Sequence, residues 1–144
     1  MRALLDVNVL IALFDQHHIF HDRAHLWLEV NADQGIATCP LTENGVVRIL
    51  SHPKYSHTSP LTPGDVIGRL DKFCKAQDHA FWPDDVSLTD STLFPPDQIL
   101  GTRQVTDVYL LGLAVKQGGR LVTFDEGITL KSVRNATGKN LVVI

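Results

Sequence analysis

The sequence contains few cysteines, no long apolar run and no excess of positive charge. Cys39 and Cys74 lie inside apolar segments and form no Cys-x-x-Cys pair, so we expect both to be reduced core residues. No stretch approaches the ~18 uncharged apolar residues typical of a membrane-spanning helix. Asp6 interrupts the N-terminal segment before a signal-peptide apolar region could form. We therefore expect a soluble, cytoplasmic protein that does not bind membranes.

The charge balance argues against a passive nucleic-acid-binding protein. The sequence has 13 Lys and Arg residues against 16 Asp and Glu, a formal net charge of -3, whereas passive nucleic-acid binders carry a basic surface. Any action on nucleic acid must therefore depend on local chemistry rather than on the overall field. The 144 residues, 44% hydrophobic and 20% charged, match the size and composition of one globular domain.

The apolar pattern alternates between strand-like and helix-like segments. Short apolar runs predict strands at 3–5, 36–39, 86–88, 120–124 and 141–144. Longer periodic segments predict helices at 7–14, 21–30, 41–50, 62–76 and 105–115. This alternation predicts an α/β fold, namely a parallel sheet of about five strands with helices on both faces, in one domain that spans residues 1–144.

Acidic residues directly follow two of the predicted strands. Asp6 comes after the first strand and Asp125 after the fourth. In open parallel α/β sheets, ligands bind beyond the carboxyl ends of the strands, near the point where the strand order reverses. An Asp at such a position is also a common helix cap, so capping explains each residue equally well when it is taken alone.

Two further acids begin helices whose inward faces are otherwise apolar. Counting three, four and seven residues from Glu43 and from Asp107 gives only apolar side chains: Val46, Val47, Leu50, Leu110, Leu111 and Ala114. Both acids therefore face the core, where an unpaired carboxylate is costly. The alternative for either residue is a first-turn acid that stabilises the helix dipole.

The acids together predict a metal site. If the strand and helix ends that carry Asp6, Glu43, Asp107 and Asp125 meet at one edge of the sheet, the repulsion between the carboxylates requires a cation. Oxygen ligands without a positioned His or Cys favour Mg²⁺ or Mn²⁺. Such an ion lowers the pKa of an attacking water and offsets charge on a phosphate ester in the transition state. The predicted reaction is hydrolysis of a phosphodiester bond.

Short motifs surround these acids, in a fixed order along the chain. They are Leu-Leu-Asp-Val-Asn-Val-Leu at 4–10, Leu-Thr-Glu-Asn-Gly-Val-Val-Arg at 41–48, Thr-Asp-Val-Tyr-Leu-Leu-Gly-Leu-Ala at 106–114 and Gly-Arg-Leu-Val-Thr-Phe-Asp at 119–125. The set resembles the PIN-domain family, and specifically the VapC-type toxins of bacterial toxin–antitoxin pairs. It covers essentially the whole chain, and it implies the PIN fold and a metal-dependent endoribonuclease activity.

The resemblance also implies roles for the acids. Asp6, Asp107 and Asp125 would hold Mg²⁺ or Mn²⁺, and Glu43 would act on the substrate directly or through a bound water.

The resemblance implies roles for residues near the acids, and it implies binding partners. Asn8 and Thr123, which flank two of the acids, would orient carboxylates or waters by hydrogen bonding. Arg48 is a candidate contact to an RNA phosphate. The family further implies an RNA substrate, a homodimer, and a cognate antitoxin protein that places a basic side chain into the acidic pocket.

Other classes of function compete with this interpretation. His21 and His25 lie one helical turn apart, as zinc ligands often do, although no Cys pair or third positioned ligand accompanies them. A signalling receiver domain shares the predicted sheet, and Asp90 follows its third strand, but no Lys follows the last strand. A catalytically silent PIN-like interaction module, a phosphatase and a flap-type DNA nuclease are further alternatives on the same fold.

Overall fold

The computed structural model describes residues 1–56 and 58–144, and these residues form one parallel sheet. Its strands are β1 (Ala3–Leu5), β2 (Ile36–Thr38), β3 (His79–Phe81), β4 (Arg120–Thr123) and β5 (Leu141–Val143). They lie in the order β3-β2-β1-β4-β5, and every neighbouring pair is parallel. The chain therefore extends the sheet from β1 to one edge and then to the other, so that the strand order reverses between β1 and β4.

Helices connect the strands. They are α1 (Val7–Phe14), α2 (His21–Asn31), α3 (Pro40–Leu50), α4 (Pro63–Ala76) and α5 (Val105–Lys116). Local sequence explains where several begin: the Thr62 side chain accepts a hydrogen bond from the Asp65 N–H to cap α4, and Pro40 occupies the first position of α3. The predicted helices are confirmed to within about two residues. In the described residues, no helix is both long and apolar enough to cross a membrane.

Side chains of the central strands alternate between two cores. Ala3, Leu5 and Val122 pack against α1, α2, α3 and α4 on one face of the sheet. Leu4 and Leu121 pack on the other face, against α5 and the loops that flank it. Because both faces are covered, the strands read as continuous apolar runs. The predicted fold class is confirmed.

The third strand was predicted at the wrong place. Residues 86–88 lie in a largely exposed loop, and the strand that pairs with β2 is His79–Phe81. This strand is at the edge of the sheet and only partly buried, so it needs no apolar run and carries no alternating signal. Asp90 consequently does not follow a strand; its carboxylate accepts a hydrogen bond from the Thr92 N–H at 2.9 Å in a turn. The receiver interpretation thereby loses its acceptor residue.

Candidate active site

Asp6 lies at the end of β1 and caps α1. One carboxylate oxygen accepts a hydrogen bond from the Val7 N–H at 2.6 Å, and the other accepts one from the Thr123 hydroxyl at 2.8 Å. The residue is only 5% exposed. Burial raises the pKa of Asp6, against the effect of these hydrogen bonds, and the negative charge of Asp125 adds to the increase. Asp6 is therefore both a cap and a buried acid close to another carboxylate.

The loop after β4 places Asp125 beside the start of α5. The Asp125 N–H donates to the Thr123 hydroxyl at 3.1 Å, and its carboxylate accepts from the Gly127 N–H at 2.6 Å. The Gln104 amide, just before α5, donates to the Gly127 carbonyl at 3.3 Å. The Thr123 hydroxyl is thus shared, because it donates to Asp6 and accepts from Asp125. These contacts hold the loop against α5.

Asp107 lies in the first turn of α5 and completes a cluster of aspartates with Asp6 and Asp125. The pKa of Asp107 is raised to about 7, first by burial, then by the negative charge of Asp6 and by its hydrogen bond and repulsion with Asp125. Residues 6, 107 and 125 therefore meet at the carboxyl ends of β1 and β4, where the strand order reverses. We call this group the aspartate cluster.

The described part of the chain supplies no cation to the aspartate cluster. Its Lys and Arg salt bridges join other residues: Arg2 with Asp78, Lys75 with Asp71, and Lys116 with Asp85. No cation of the described residues therefore offsets the charge of the cluster, and the raised pKa of Asp107, caused first by burial and then by the neighbouring acids, favours its protonated form below about pH 7.

Glu43 lies in the first turn of α3, the helix that follows β2, the neighbour of β1 in the sheet. Its carboxylate accepts a hydrogen bond from the Thr38 hydroxyl at 2.7 Å. Burial raises the pKa of Cys74, and the negative charge of Glu43 adds to this increase. The same charge opposes the lowering of the His79 pKa by burial, whereas the acids that act on Asp107 are the other members of the cluster. Thr38 thus holds the Glu43 carboxylate at the end of β2, and the expectation that Glu43 joins the other acids in one site stays a prediction.

The donor set of the aspartate cluster consists of carboxylate oxygens, which suit Mg²⁺ or Mn²⁺. In residues 1–56 and 58–144, no group of three or more His, Cys, Asp or Glu side chains is placed to hold one ion together. Magnesium in proteins usually takes one or two carboxylates and keeps several waters, with substrate phosphates completing its shell. The cluster fits an ion bound in this open manner.

The other predicted site residues differ in their surroundings. Thr123 is fully buried and donates a hydrogen bond to Asp6, whereas Asn8 is exposed and makes no side-chain hydrogen bond with the described residues. Arg48 is exposed on α3 and lines a groove of about 830 Å³ together with Glu43. The roles assigned to Asn8, Thr123 and Arg48 stay predictions.

The histidine pair on α2 has a structural role. His21 Nδ1 lies 2.7 Å from the Ala12 carbonyl oxygen, and His25 Nε2 lies 3.0 Å from the Leu13 carbonyl oxygen. Carbonyl groups in the last turn of a helix have no partner within the helix. Each imidazole uses a ring nitrogen to satisfy one of them. The contacts favour helix capping over the zinc alternative.

Two residues beside Glu43 were missed by the sequence analysis. The fully buried Thr38 hydroxyl lies 2.7 Å from His79 Nε2 as well as from Glu43. A signal for Thr38 existed, because it is the last residue of an apolar strand, as Thr123 is of β4. His79 had none, since the strand that carries it was not predicted.

Comparison of the sequence with known protein families defines the class of protein. The PIN domain family profile matches residues 3–134. This match covers most of the chain and includes every acid of the site, so the chain belongs to the PIN-domain family.

Within the PIN-domain family, the chain is similar to VapC ribonucleases. Ribonuclease VapC44 from Mycobacterium tuberculosis is 43% identical over 144 residues, which is 100% of both chains. Ribonuclease VapC38 from the same organism is 46% identical over 143 residues, 99% of each chain. The crystal structure of VapBC2 from Rickettsia felis, bound to a DNA fragment from its promoter, shares the fold with a TM-score of 0.58 at 17% identity, covering 100% of this chain and 98% of that chain. The resemblance to VapC proteins is confirmed.

Proposed function

We propose that this chain is an endoribonuclease that hydrolyses RNA with the help of Mg²⁺ or Mn²⁺ and acts as the toxin of a toxin–antitoxin pair. The observation that carries the proposal is the convergence of Asp6, Asp107 and Asp125; burial, and then the charges of Asp6 and Asp125, raise the pKa of Asp107 to about 7. Full-length relatives named Ribonuclease VapC support RNA as the substrate.

Asp6, Asp107 and Asp125 would hold the metal ion. A bound divalent ion lowers the pKa of a coordinated water and offsets negative charge on the reacting phosphate. Asp6 is already oriented by Val7 and Thr123, so it loses little rotational freedom on binding. Asp107 would give up its proton, because a nearby positive charge favours the ionised carboxylate.

Glu43 is assigned to the attacking water. Hydrolysis forms a bond between the water oxygen and phosphorus and breaks the bond from phosphorus to one ribose oxygen. The attacking water loses a proton, and the departing ribose oxygen takes up a proton from solvent. The Glu43 carboxylate, one strand from the aspartate cluster, would accept this proton directly or through a second water. Its hydrogen bond to Thr38, at 2.7 Å, fixes one oxygen and leaves the other for the water.

The groove beside Glu43 is proposed to hold the RNA backbone. Arg48 and Glu43 line this groove of about 830 Å³ on α3. An exposed guanidinium there can pair with a phosphate through two hydrogen bonds. The position of Arg48 in the same groove as Glu43 supports its assignment as a phosphate contact.

We further propose a cognate antitoxin, a homodimeric state and a cytoplasmic location. The antitoxin would place an Arg or Lys into the aspartate cluster, where the described residues supply no such cation. These assignments are supported by the similarity to VapC relatives.

An RNA-cleavage assay tests the proposed activity. We expect cleavage with Mg²⁺ or Mn²⁺, and a loss of about 100-fold or more with EDTA and in Asp6→Asn. The matched control is Asp33→Asn, because Asp33 is exposed and precedes β2, at the opposite ends of the strands. It should cleave like the wild type. EDTA-resistant cleavage, an active Asp6→Asn variant, or an intact wild type that cleaves no RNA with either ion would contradict the proposal; the last result would favour a silent interaction module.

A further inference from the structure

We propose that Thr38 and His79 are positioning residues that hold Glu43 for the reaction through a chain of hydrogen bonds. The inference rests on the proposed function, because it concerns the support of one acid in the same site.

The hydrogen bonds of the chain run in one direction. The Thr38 Oγ1 atom lies 2.7 Å from Glu43 Oε1 and 2.7 Å from His79 Nε2. A hydroxyl carries a single hydrogen, and Thr38 donates it to the Glu43 carboxylate, which as an anion can only accept. His79 must therefore donate its Nε2–H to Thr38. This order fixes the orientation of the hydroxyl and the tautomer of the ring.

His79 acts in this chain as a neutral donor. Burial lowers the pKa of His79, opposed by the negative charge of Glu43 and assisted by the positive charge of Arg2. The ring is therefore uncharged near neutral pH. It supplies a hydrogen bond to Thr38 without adding a positive charge that would pair with Glu43 directly.

The backbone around His79 is anchored to its neighbours. The Asp78 carbonyl accepts hydrogen bonds from the Ile36 N–H and from the Arg2 guanidinium, both at 2.8 Å, and the Asp78 carboxylate pairs with Arg2 at 2.9 Å. His79 is in register with Ile36, so its side chain lies on the same face as that of Thr38, two residues further along β2. The donor is thus held in place before any substrate arrives.

The arrangement repeats one already seen in the aspartate cluster. Thr123 ends β4 and donates its hydroxyl to Asp6 at 2.8 Å, as Thr38 ends β2 and donates to Glu43 at 2.7 Å. Both threonines are fully buried. Side chains that orient a reacting group affect the rate of the chemical step when they are removed, although they do not touch the substrate.

Matched variants at both positions test the inference. Thr38→Val keeps the shape of the side chain but removes the hydroxyl, and we expect kcat to fall about tenfold with KM unchanged. Thr38→Ser restores the hydroxyl and should recover most of kcat. His79→Leu should lower kcat, whereas His79→Gln, whose amide can donate in place of Nε2–H, should recover it. If Thr38→Val fails to fold, the His79 pair, at the partly exposed edge strand, still decides the result.

A double-mutant cycle separates positioning from a general structural effect. In a Glu43→Gln background, Thr38→Val should lower kcat less than twofold, because the carboxylate that it orients is gone. A Thr38→Val variant as active as the wild type, or an equal loss of kcat in both backgrounds, would overturn the inference and leave the nuclease proposal intact. A folded wild type without RNA cleavage would overturn the proposed function, and this inference with it.

Discussion

The two ends of α1 face opposite electrostatic situations. At its first turn, Asp6 meets Asp107 and Asp125, and their repulsion is left to be balanced by a proton. Negative charge at this end is favoured by the helix dipole, yet the pKa of both Asp6 and Asp107 is raised. The local structure therefore gathers more negative charge than it neutralises.

At its last turn, α1 receives hydrogen bonds from the neighbouring helices. The carbonyl oxygens of Ala12 and Leu13 are bound by His21 and His25, and the final carbonyl accepts a hydrogen bond from Arg69. These donors come from α2 and α4, which pack against α1 on the same face of the sheet. The comparison teaches that polar groups paired by hydrogen bonds stabilise the fold, whereas like charges gathered without a counter-charge indicate a binding site.

Neutralising Asp107 by substitution with Asn should have the largest effect on stability. It tests whether the carboxylates gathered at the first turn of α1 destabilise the metal-free protein. Below about pH 4 this carboxyl is protonated in both the folded and the unfolded state. Between about pH 4 and its folded pKa of about 7 only the unfolded state ionises, so wild-type stability falls as the pH rises. At pH 7.5 in EDTA, Asp107→Asn should be more stable than the wild type by on the order of 2 kcal/mol, after allowance for partial exposure.

Denaturant titrations at pH 4 and 7.5 measure this difference, which should nearly vanish at the lower pH and shrink on adding Mg²⁺. The same variant should lose RNA cleavage. A marked loss of stability in Asp107→Asn at pH 7.5 would instead favour the helix-dipole alternative.

The next effect concerns how α3 supports the first turn of α1. A Cβ atom added at Gly45 would lie 2.7 Å from Cγ2 of Val7, the residue after Asp6, so the branched Val7 side chain or the two helices must shift. We expect Gly45→Ala to lower the free energy of unfolding by about 1–2 kcal/mol. Gly68→Ala on α4 is the matched control, since nothing lies within 4 Å of the added atom. It should be neutral or stabilising in the same urea titration, and equal losses at both glycines would contradict the packing argument.

The smallest effect is expected at the last turn of α1. His25→Ala removes one donor to the Leu13 carbonyl and should cost about 1 kcal/mol. Because this contact lies at the far end of the helix from Asp6, kcat should not change. The exposed His17→Ala serves as a control for thermal denaturation. Stabilisation of the wild type by Zn²⁺ that His25→Ala abolishes would revive the zinc alternative.

The sequence predicted most of the fold because most of it depends on burial. β1 is a continuous apolar run and β4 carries an apolar centre, Leu121 and Val122, and helix boundaries follow capping residues such as Thr62. The exception is β3, whose residues are partly exposed at the sheet edge and carry no pattern. Pairing with β2, rather than its own composition, makes His79–Phe81 a strand.

The site was predicted in part for a similar reason. Strand ends and helix starts bring Asp6, Asp107 and Asp125 together, and these positions follow from topology. The direction of the Glu43 side chain does not, because it depends on a hydrogen bond to Thr38 and, through it, on a histidine of the unpredicted strand. Topology fixes where a residue is placed, whereas side-chain partners fix where its carboxylate points.

The pairing of β1 with β4 also governs when the site can exist during synthesis. Residues 3–5 are translated before residues 120–122 and cannot pair with β4 until those have been made, and Asp125 comes later still. A nascent chain on the ribosome therefore carries Asp6 long before it has the partners that would make it chemically competent. A nuclease made beside abundant ribosomal RNA therefore cannot assemble this site until the chain as far as Asp125 has emerged.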